Sequence, residues 1–232
     1  MVKAIVFDKD GTLLALSNAW DQPAVEISEF FLNQTQLSEV ERAQVKTSLG
    51  IVNGRVQANS LFATASIGQQ AEFFTQLMGK RNKFRVEKTL TQIYLKFIQA
   101  HPQVIQLNPG VLEVLSQLSQ DYILALVTND SRILTDYILK QAGIYDFFDF
   151  IACADEFPAK PEPDALLALA AKFNLNLADM VYVGDSEVDM VYGSLTQAAI
   201  AYDPKGHKSS YLAKADYWIT DLYQLFTLLD TL

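Results

Sequence analysis

Two aspartates one residue apart, Asp8 and Asp10, follow directly on the apolar run Ala4-Ile5-Val6-Phe7 and lead into Gly11-Thr12. Two like charges held this close are unfavourable unless a cation or a shared proton relieves them. A second pair, Asp185 and Asp189, stands in Gly184-Asp185-Ser186-Glu187-Val188-Asp189, behind the apolar run Met180-Val181-Tyr182-Val183. Carboxylates in this number call for a hard cation. Magnesium suits them, because it is held by one or two carboxylates with substrate phosphate and water completing its octahedron. The chain has two histidines and one cysteine, none near these motifs, which argues against zinc. A calcium loop starting at Asp8 is excluded: its sixth and twelfth positions require Gly and Glu, and here they hold Leu13 and Ala19. Thr128 and the backbone N–H of Asn129 offer donors to phosphate oxygens. Lys160, in Ala159-Lys160-Pro161, adds a cation that offsets phosphate and acids alike.

Each group alone has a plainer reading. Asp-Gly is ordinary turn chemistry, Thr128 can cap the next helix, and Lys160 can be a solvated loop lysine. Asp185 and Asp189 can serve a helix N-terminus. What favours a site is the elements that carry them. The runs 4–7, 122–127 and 180–183 are short, continuous, apolar and rich in β-branched residues, as strands buried on both faces are. Residues 148–152 form a further strand candidate, and 199–202 and 217–219 read as short edge strands. Helices are expected after Pro109-Gly110, over 133–141 with Gly143 at its C′ position, and over 164–173, with Asp221 capping a final helix. This alternation predicts an α/β fold with a doubly wound parallel sheet and right-handed crossovers. All strands of such a sheet end on one edge, where open α/β sheets bind ligands, so groups distant in sequence converge there.

The alternation is interrupted for about ninety residues after Leu14, judged by period alone. Helices are expected over 24–32, 40–49, 71–77 and 86–100, with Val40, Ala43, Val45 and Leu49 on the apolar face of the second. Asn53-Gly54 signals a tight hairpin, because both turn positions need positive φ. The expected division is a catalytic core of residues 1–16 and 106–232 with an inserted, mostly helical cap of residues 17–105. Residues 50–66 are the expected specificity loop. Hinges are expected over 14–17 and 105–109.

Composition bounds the partners. The formal charge is −9, from 18 basic and 27 acidic residues, which speaks against nucleic acid. Residues 14–105 carry nine basic and seven acidic side chains, leaving nine and twenty in the rest. A mildly basic insert over an acidic body suits a metal site that admits an anion, and one hypothesis is that the insert supplies cations or donors to the non-phosphate end of an anionic substrate. No apolar run is long enough to span a bilayer and no leader is recognisable, so the expectation is a cytoplasmic protein without membrane contact. The single cysteine, Cys153, excludes an intrachain disulfide and reads as packing. Oligomeric state leaves no mark in the sequence.

Asp8-Lys9-Asp10-Gly11-Thr12, Thr128-Asn129, Lys160-Pro161 and Gly184-Asp185-Ser186 with Asp189 resemble the four ordered motifs of the haloacid dehalogenase-like hydrolases. The helix start at Pro109-Gly110 and the position of the insert are similar to the phosphoglycolate phosphatase-like branch. The resemblance implies that Asp8 is a nucleophile forming an aspartyl-phosphate, and that Asp10 moves protons to the leaving oxygen and from water. It implies Mg2+ held by Asp8, the Asp10 backbone carbonyl and Asp185, with Asp189 direct or through water. Thr128 and the Asn129 amide would bind phosphate, and Lys160 would orient Asp8. Two departures stand out: Lys9 is a positive charge where many members are uncharged, and residues 191–196 lack the family's second glycine. The expected activity is a magnesium-dependent phosphatase for a small phosphorylated metabolite, phosphoglycolate-like. A phosphomutase of the same fold and a non-enzymatic phosphate-binding regulatory protein are the alternatives.

Overall fold

The computed structural model describes residues 1–15, 20–57, 60–79, 82–206 and 213–232. The chain opens with strand β1 (Ala4–Phe7), all four residues buried. It then enters a helical insertion: α1 (Asp21–Leu32), α2 (Glu39–Leu49), a hairpin of β2 (Ile51–Val52) and β3 (Arg55–Val56), α3 (Leu61–Thr64), α4 (Ile67–Met78) and α5 (Lys83–Ala100). After α6 (Val111–Leu118) come β4 (Ile123–Thr128), α7 (Arg132–Gln141), β5 (Phe150–Cys153), α8 (Asp164–Phe173) and β6 (Met180–Gly184). The chain ends with α9 (Glu187–Gly193), β7 (Ala198–Tyr202), β8 (Tyr217–Ile219) and α10 (Gln224–Leu229).

Six strands form one parallel sheet in the order β5-β4-β1-β6-β7-β8. The first strand is thus central, with Phe7 level with Leu126 of β4 and Val183 of β6. Ile5, Phe7, Leu124, Leu126, Val181 and Val183 pack against α6 and α10 on one face. Ala4, Val6, Ala125, Val127 and Tyr182 pack on the other, against Ala165, Leu166 and Leu169 of α8. Both faces are covered, which is why these strands read as unbroken apolar runs. Cys153 is a buried packing residue at the end of β5.

The insertion has its own apolar cluster, with Ile27, Phe31, Leu49, Phe74, Leu90 and Ile98 fully or nearly fully buried. Phe31 and Phe74 stack with centroids 4.4 Å apart. Leu134 and Ile138 of α7 belong to the same cluster, so the insertion rests on the sheet through that helix. Capping boxes at Ser38–Glu41 and Ser66–Gln69 start α2 and α4. Asn53 and Gly54 take φ of 51° and 73°, as the hairpin turn requires. The two passages to the core run side by side: Ala15 N donates to Gln106 O at 2.8 Å and Asn108 N to Leu13 O at 2.9 Å. The expected hinge at 14–17 lies partly, and the loop 50–66 at residues 58–59, outside the described residues.

Four local expectations need correction. Strand β7 is not an edge: all five residues are buried and it pairs with both β6 and β8. Pro109 lies outside α6, whose N-cap is Gly110 at φ 79°, where an added Cβ would lie 2.6 Å from the Tyr223 ring. Asp221 acts ahead of α10, accepting a hydrogen bond from Tyr223 N, because Tyr223 holds the cap position. On α2 only Leu49 is buried and Val40 is 69% exposed, since the helix meets the apolar cluster through Val45 and Leu49 and otherwise docks on α1 through Arg42 and Lys46. Among the described residues, no helix is long and apolar enough to cross a membrane.

Candidate active site

The carboxyl end of β1 lies in the crevice between β4 and β6, where the chain's crossovers diverge to opposite sides. Asp8 is the first residue beyond the strand, its N–H donating to Val183 O at 2.9 Å. The Lys160 ammonium donates to Asp8 Oδ1 at 2.5 Å, to Asp189 Oδ1 at 2.7 Å and to the Tyr182 hydroxyl at 3.0 Å. Tyr182 donates in turn to Asp189 Oδ1 at 2.8 Å. The other Asp189 oxygen accepts Ser186 N at 3.0 Å and Ser186 Oγ at 2.6 Å, closing the capping box of α9. Helix capping and site building are therefore one arrangement at Asp189.

Asp185 is set by the turn after β1. Gly11 has φ 89°, and a Cβ there would lie 2.1 Å from Asp185 Oδ2, so the carboxylate fits only against a bare glycine. Asn108 secures that turn, its Nδ2 donating to Gly11 O at 3.1 Å and Thr12 O at 2.8 Å. Thr128 Oγ1 accepts Asp130 N at 3.2 Å, which leaves its own proton to donate elsewhere. The Asn129 side chain is engaged in building the site: Oδ1 accepts Lys160 N at 2.8 Å, and Nδ2 donates to Thr64 O of the insertion at 3.2 Å. That leaves its backbone N–H as the group for a ligand. Asp10 stands apart from the other three acids, its Oδ2 paired with Lys9 at 2.9 Å.

Burial is the main force raising Asp8, to about 7; Lys160 opposes it and the charges of Asp189 and Asp10 add to it. Burial likewise pushes Asp185 well above the usual carboxylate range, with Asp8 and Asp189 adding. Burial acts to raise Asp189 too, but Lys160, Ser186 and Tyr182 outweigh it and hold that carboxyl low. Burial acts to lower Lys160, yet Asp189 and Asp8 raise it, so it remains an ammonium. One lysine thus leaves the acids under-compensated. Asp8, Asp185 and Asp189 each offer an oxygen within 4.8 Å of the others. An all-oxygen donor set with unrelieved negative charge fits a hard divalent cation.

The site opens into a cavity of about 540 Å³ between the sheet edge and the insertion. Trp20, Val56, Phe62, Ile67 and Tyr94 line it from the insertion, and Lys205 lines it from the core. Among the described residues the insertion's contribution is aromatic, apolar and amide, with Thr64 and Asp21, and includes none of its lysines or arginines. Arg55 lies exposed on the hairpin.

Sequence reasoning missed Asn108, Tyr182 and Asp130. Asn108 precedes Pro-Gly and looks like loop punctuation. Tyr182 reads as one more core residue of a buried strand. Asp130 reads as the tail of the Thr128-Asn129 turn.

The family model described as haloacid dehalogenase-like hydrolase matches residues 2–193. A phosphoglycolate phosphatase of Vibrio cholerae serotype O1 is 33% identical over 196 residues, covering 82% of this chain and 79% of that protein. An N-acetylmuramic acid 6-phosphate phosphatase of Pseudomonas putida is 25% identical over 195 residues, covering 83% and 78%. The crystal structure of a HAD phosphatase from Thermococcus onnurineus superposes with TM-score 0.67 at 23% identity, covering 98% of each chain.

Proposed function

The chain belongs to the haloacid dehalogenase-like hydrolases, and on that premise we propose that it is a magnesium-dependent phosphatase of a small phosphorylated metabolite. The observation that carries this reading is the Asp8 carboxylate at the centre of the sheet edge, one oxygen on Lys160, beside the Asp185 and Asp189 carboxylates. Lys160 fixes Asp8 by Oδ1, leaving Oδ2 to attack phosphorus. The Asp8–phosphate bond forms as the ester oxygen leaves, and that oxygen takes a proton from Asp10. Asp10, now a carboxylate, takes a proton from water as the water cleaves the aspartyl-phosphate, which returns Asp8 and releases phosphate. The Thr128 hydroxyl and the Asn129 N–H hold the phosphate oxygens, and Lys160 remains an ammonium throughout.

Asp8, Asp185 and the Asp10 backbone carbonyl would hold magnesium. Asp189 would join them directly or through water, and its bonds from Lys160, Tyr182 and Ser186 also let it orient Lys160. Bound there, magnesium would neutralise phosphate charge and favour the ionised Asp8. Residues 17–105 serve as a cap that closes over the sheet edge and excludes water, with 1–16 and 106–232 as the catalytic core.

Phosphoglycolate is the first candidate substrate, from the name of the Vibrio cholerae relative. The cavity favours a second candidate class. Its volume is several times what a two-carbon ester fills, and its cap-side wall sets aromatic and apolar side chains beside the polar groups of Gln57, Thr64 and Gln70, which suits a neutral sugar-sized alcohol. Purified protein with magnesium is to be assayed for phosphate release from a panel holding phosphoglycolate, sugar phosphates and nucleoside monophosphates. Turnover of at least one, abolished by Asp8→Asn in a protein with an unchanged melting curve, is expected. Undiminished turnover by folded Asp8→Asn would sink the mechanism.

A further inference from the structure

Lys9 is a lysine with no solvent exposure, lying between the two acids of the first motif. An ammonium is buried only where opposite charges and hydrogen bonds replace its water. Its Nζ lies 2.9 Å from Asp10 Oδ2 and 2.8 Å from Asp130 Oδ2. Its own backbone is fixed, since Leu13 N and Leu14 N both donate to Lys9 O, at 3.0 and 2.9 Å. Asp130 is fixed equally well: Oδ1 accepts Ser131 N at 2.7 Å, its N–H donates to Thr128 Oγ1, and its carbonyl accepts Ala154 N at 3.0 Å. The ammonium therefore ties a partly exposed acid to two anchored groups, Asp130 and its own backbone. That acid is Asp10, whose side chain is 36% exposed, lines the cavity, and has no other side-chain partner among the described residues.

We propose that Lys9 is a positioning residue that clamps the Asp10 carboxyl group by Oδ2 against the Thr128–Ser131 turn, so that Oδ1, bearing the proton to be given, is presented to the departing alcohol. The inference rests on the reading of Asp10 as the proton carrier. A carboxyl group on a turn, free to rotate about χ1 and χ2, spends much of its time out of hydrogen-bond reach of the ester oxygen. The clamp removes that freedom before substrate binds. It also joins the acid to the same turn that holds the phosphate through Thr128, so phosphorus and proton donor keep one geometry. A purely structural lysine, present only to neutralise two acids, would have no such consequence.

The two roles separate by leaving group. Proton donation matters for an alkyl phosphate and little for p-nitrophenyl phosphate, whose phenolate leaves without help. Lys9→Met is expected to lower kcat/KM about 10–10²-fold on an alkyl phosphate, part of the 10²–10⁴ that general acid–base catalysis contributes. On p-nitrophenyl phosphate the loss should stay below about threefold, the insensitivity general acid catalysis predicts for a good leaving group. In an Asp10→Asn background, Lys9→Met should change neither value further, because the group it positions is gone. Equal losses on both substrates, or the same loss with and without Asp10, would make Lys9 structural and overturn the inference alone. Full alkyl phosphate turnover by Asp10→Asn would instead remove the proton carrier, and the proposed mechanism would fall with it. Thermal melting accompanies each assay. Should Lys9→Met not fold, Asp130→Asn decides: it keeps the Lys9–Asp10 pair but frees the lysine's anchor, and must shift the substrate ratio in the same direction.

Discussion

Gly11→Ala probes the join between the first and last motifs with a single methyl group. Two effects are separable. The backbone there has φ 89°, a conformation that disfavours any Cβ by about 1–2 kcal/mol. In a chain of this size each kcal/mol moves the melting temperature by about 2–4 °C, so this effect alone gives a fall of about 2–8 °C. The second effect is steric and local. The new Cβ would lie 2.1 Å from Asp185 Oδ2 and 2.4 Å from its Cγ, so the carboxylate must retreat by more than an ångström to reach ordinary contact. A displacement of that size near reacting groups lowers activity by about 10²-fold. Withdrawal of Asp185 also weakens the cation site, so the rise in melting temperature on adding magnesium should shrink relative to wild type. The assay is thermal unfolding in chelator and across a magnesium titration, alongside phosphate release. In an Asp185→Ala background the clash disappears, and Gly11→Ala should retain only the backbone effect. A Gly11→Ala protein with wild-type activity and a wild-type magnesium response would refute the assigned position of Asp185.

Lys160→Met leaves Asp8 and Asp189 buried without their cation, a loss of about 3–5 kcal/mol, or about 6–20 °C in melting temperature; a fall under about 2 °C would mean the acids have another partner. Because Asp8 keeps its proton to about 7 in the fold but ionises near 3.8 when unfolded, the unfolded chain binds fewer protons between those values. The metal-free protein should therefore lose stability as pH rises through that window, and magnesium, which favours the ionised form, should raise the melting temperature more at pH 8 than at pH 5; an equal rise would contradict the assignment. Asn129→Ala breaks the link from the core to the Thr64 carbonyl and the Lys160 amide, each bond contributing about 0.5–1.5 kcal/mol. Its KM should rise about two- to tenfold per bond lost, and an unchanged KM would show that closure does not use this contact. Activity should vanish on chelation, return with magnesium and be inhibited by calcium, whose looser geometry suits in-line transfer poorly; full activity in the metal-free protein would rule out the cation.

Some of this protein was written in local residue order. The unbroken apolar runs of β1, β4 and β6 announce a sheet buried on both faces, because period and length are properties of one segment. Asn53-Gly54 makes its turn, and Ser66 with Gln69 makes its cap, through contacts between neighbours three residues apart or fewer. Once the strands are parallel, their carboxyl ends share an edge, so the meeting of Asp8, Asp185, Asp189 and Lys160 was also legible in outline. What residue order could not decide was which oxygen meets which hydrogen. Lys160 reaches Asp8 across 152 positions and Lys9 reaches Asp130 across 121, and no short-range pattern encodes such a pair. Read locally, Lys9 was only a charge beside Asp8. The Asn129 side chain, the burial of β7 and the exposure of Val40 on α2 were likewise settled by packing. A side chain's partners depend on how far separate elements approach, and only the closed tertiary structure sets those distances.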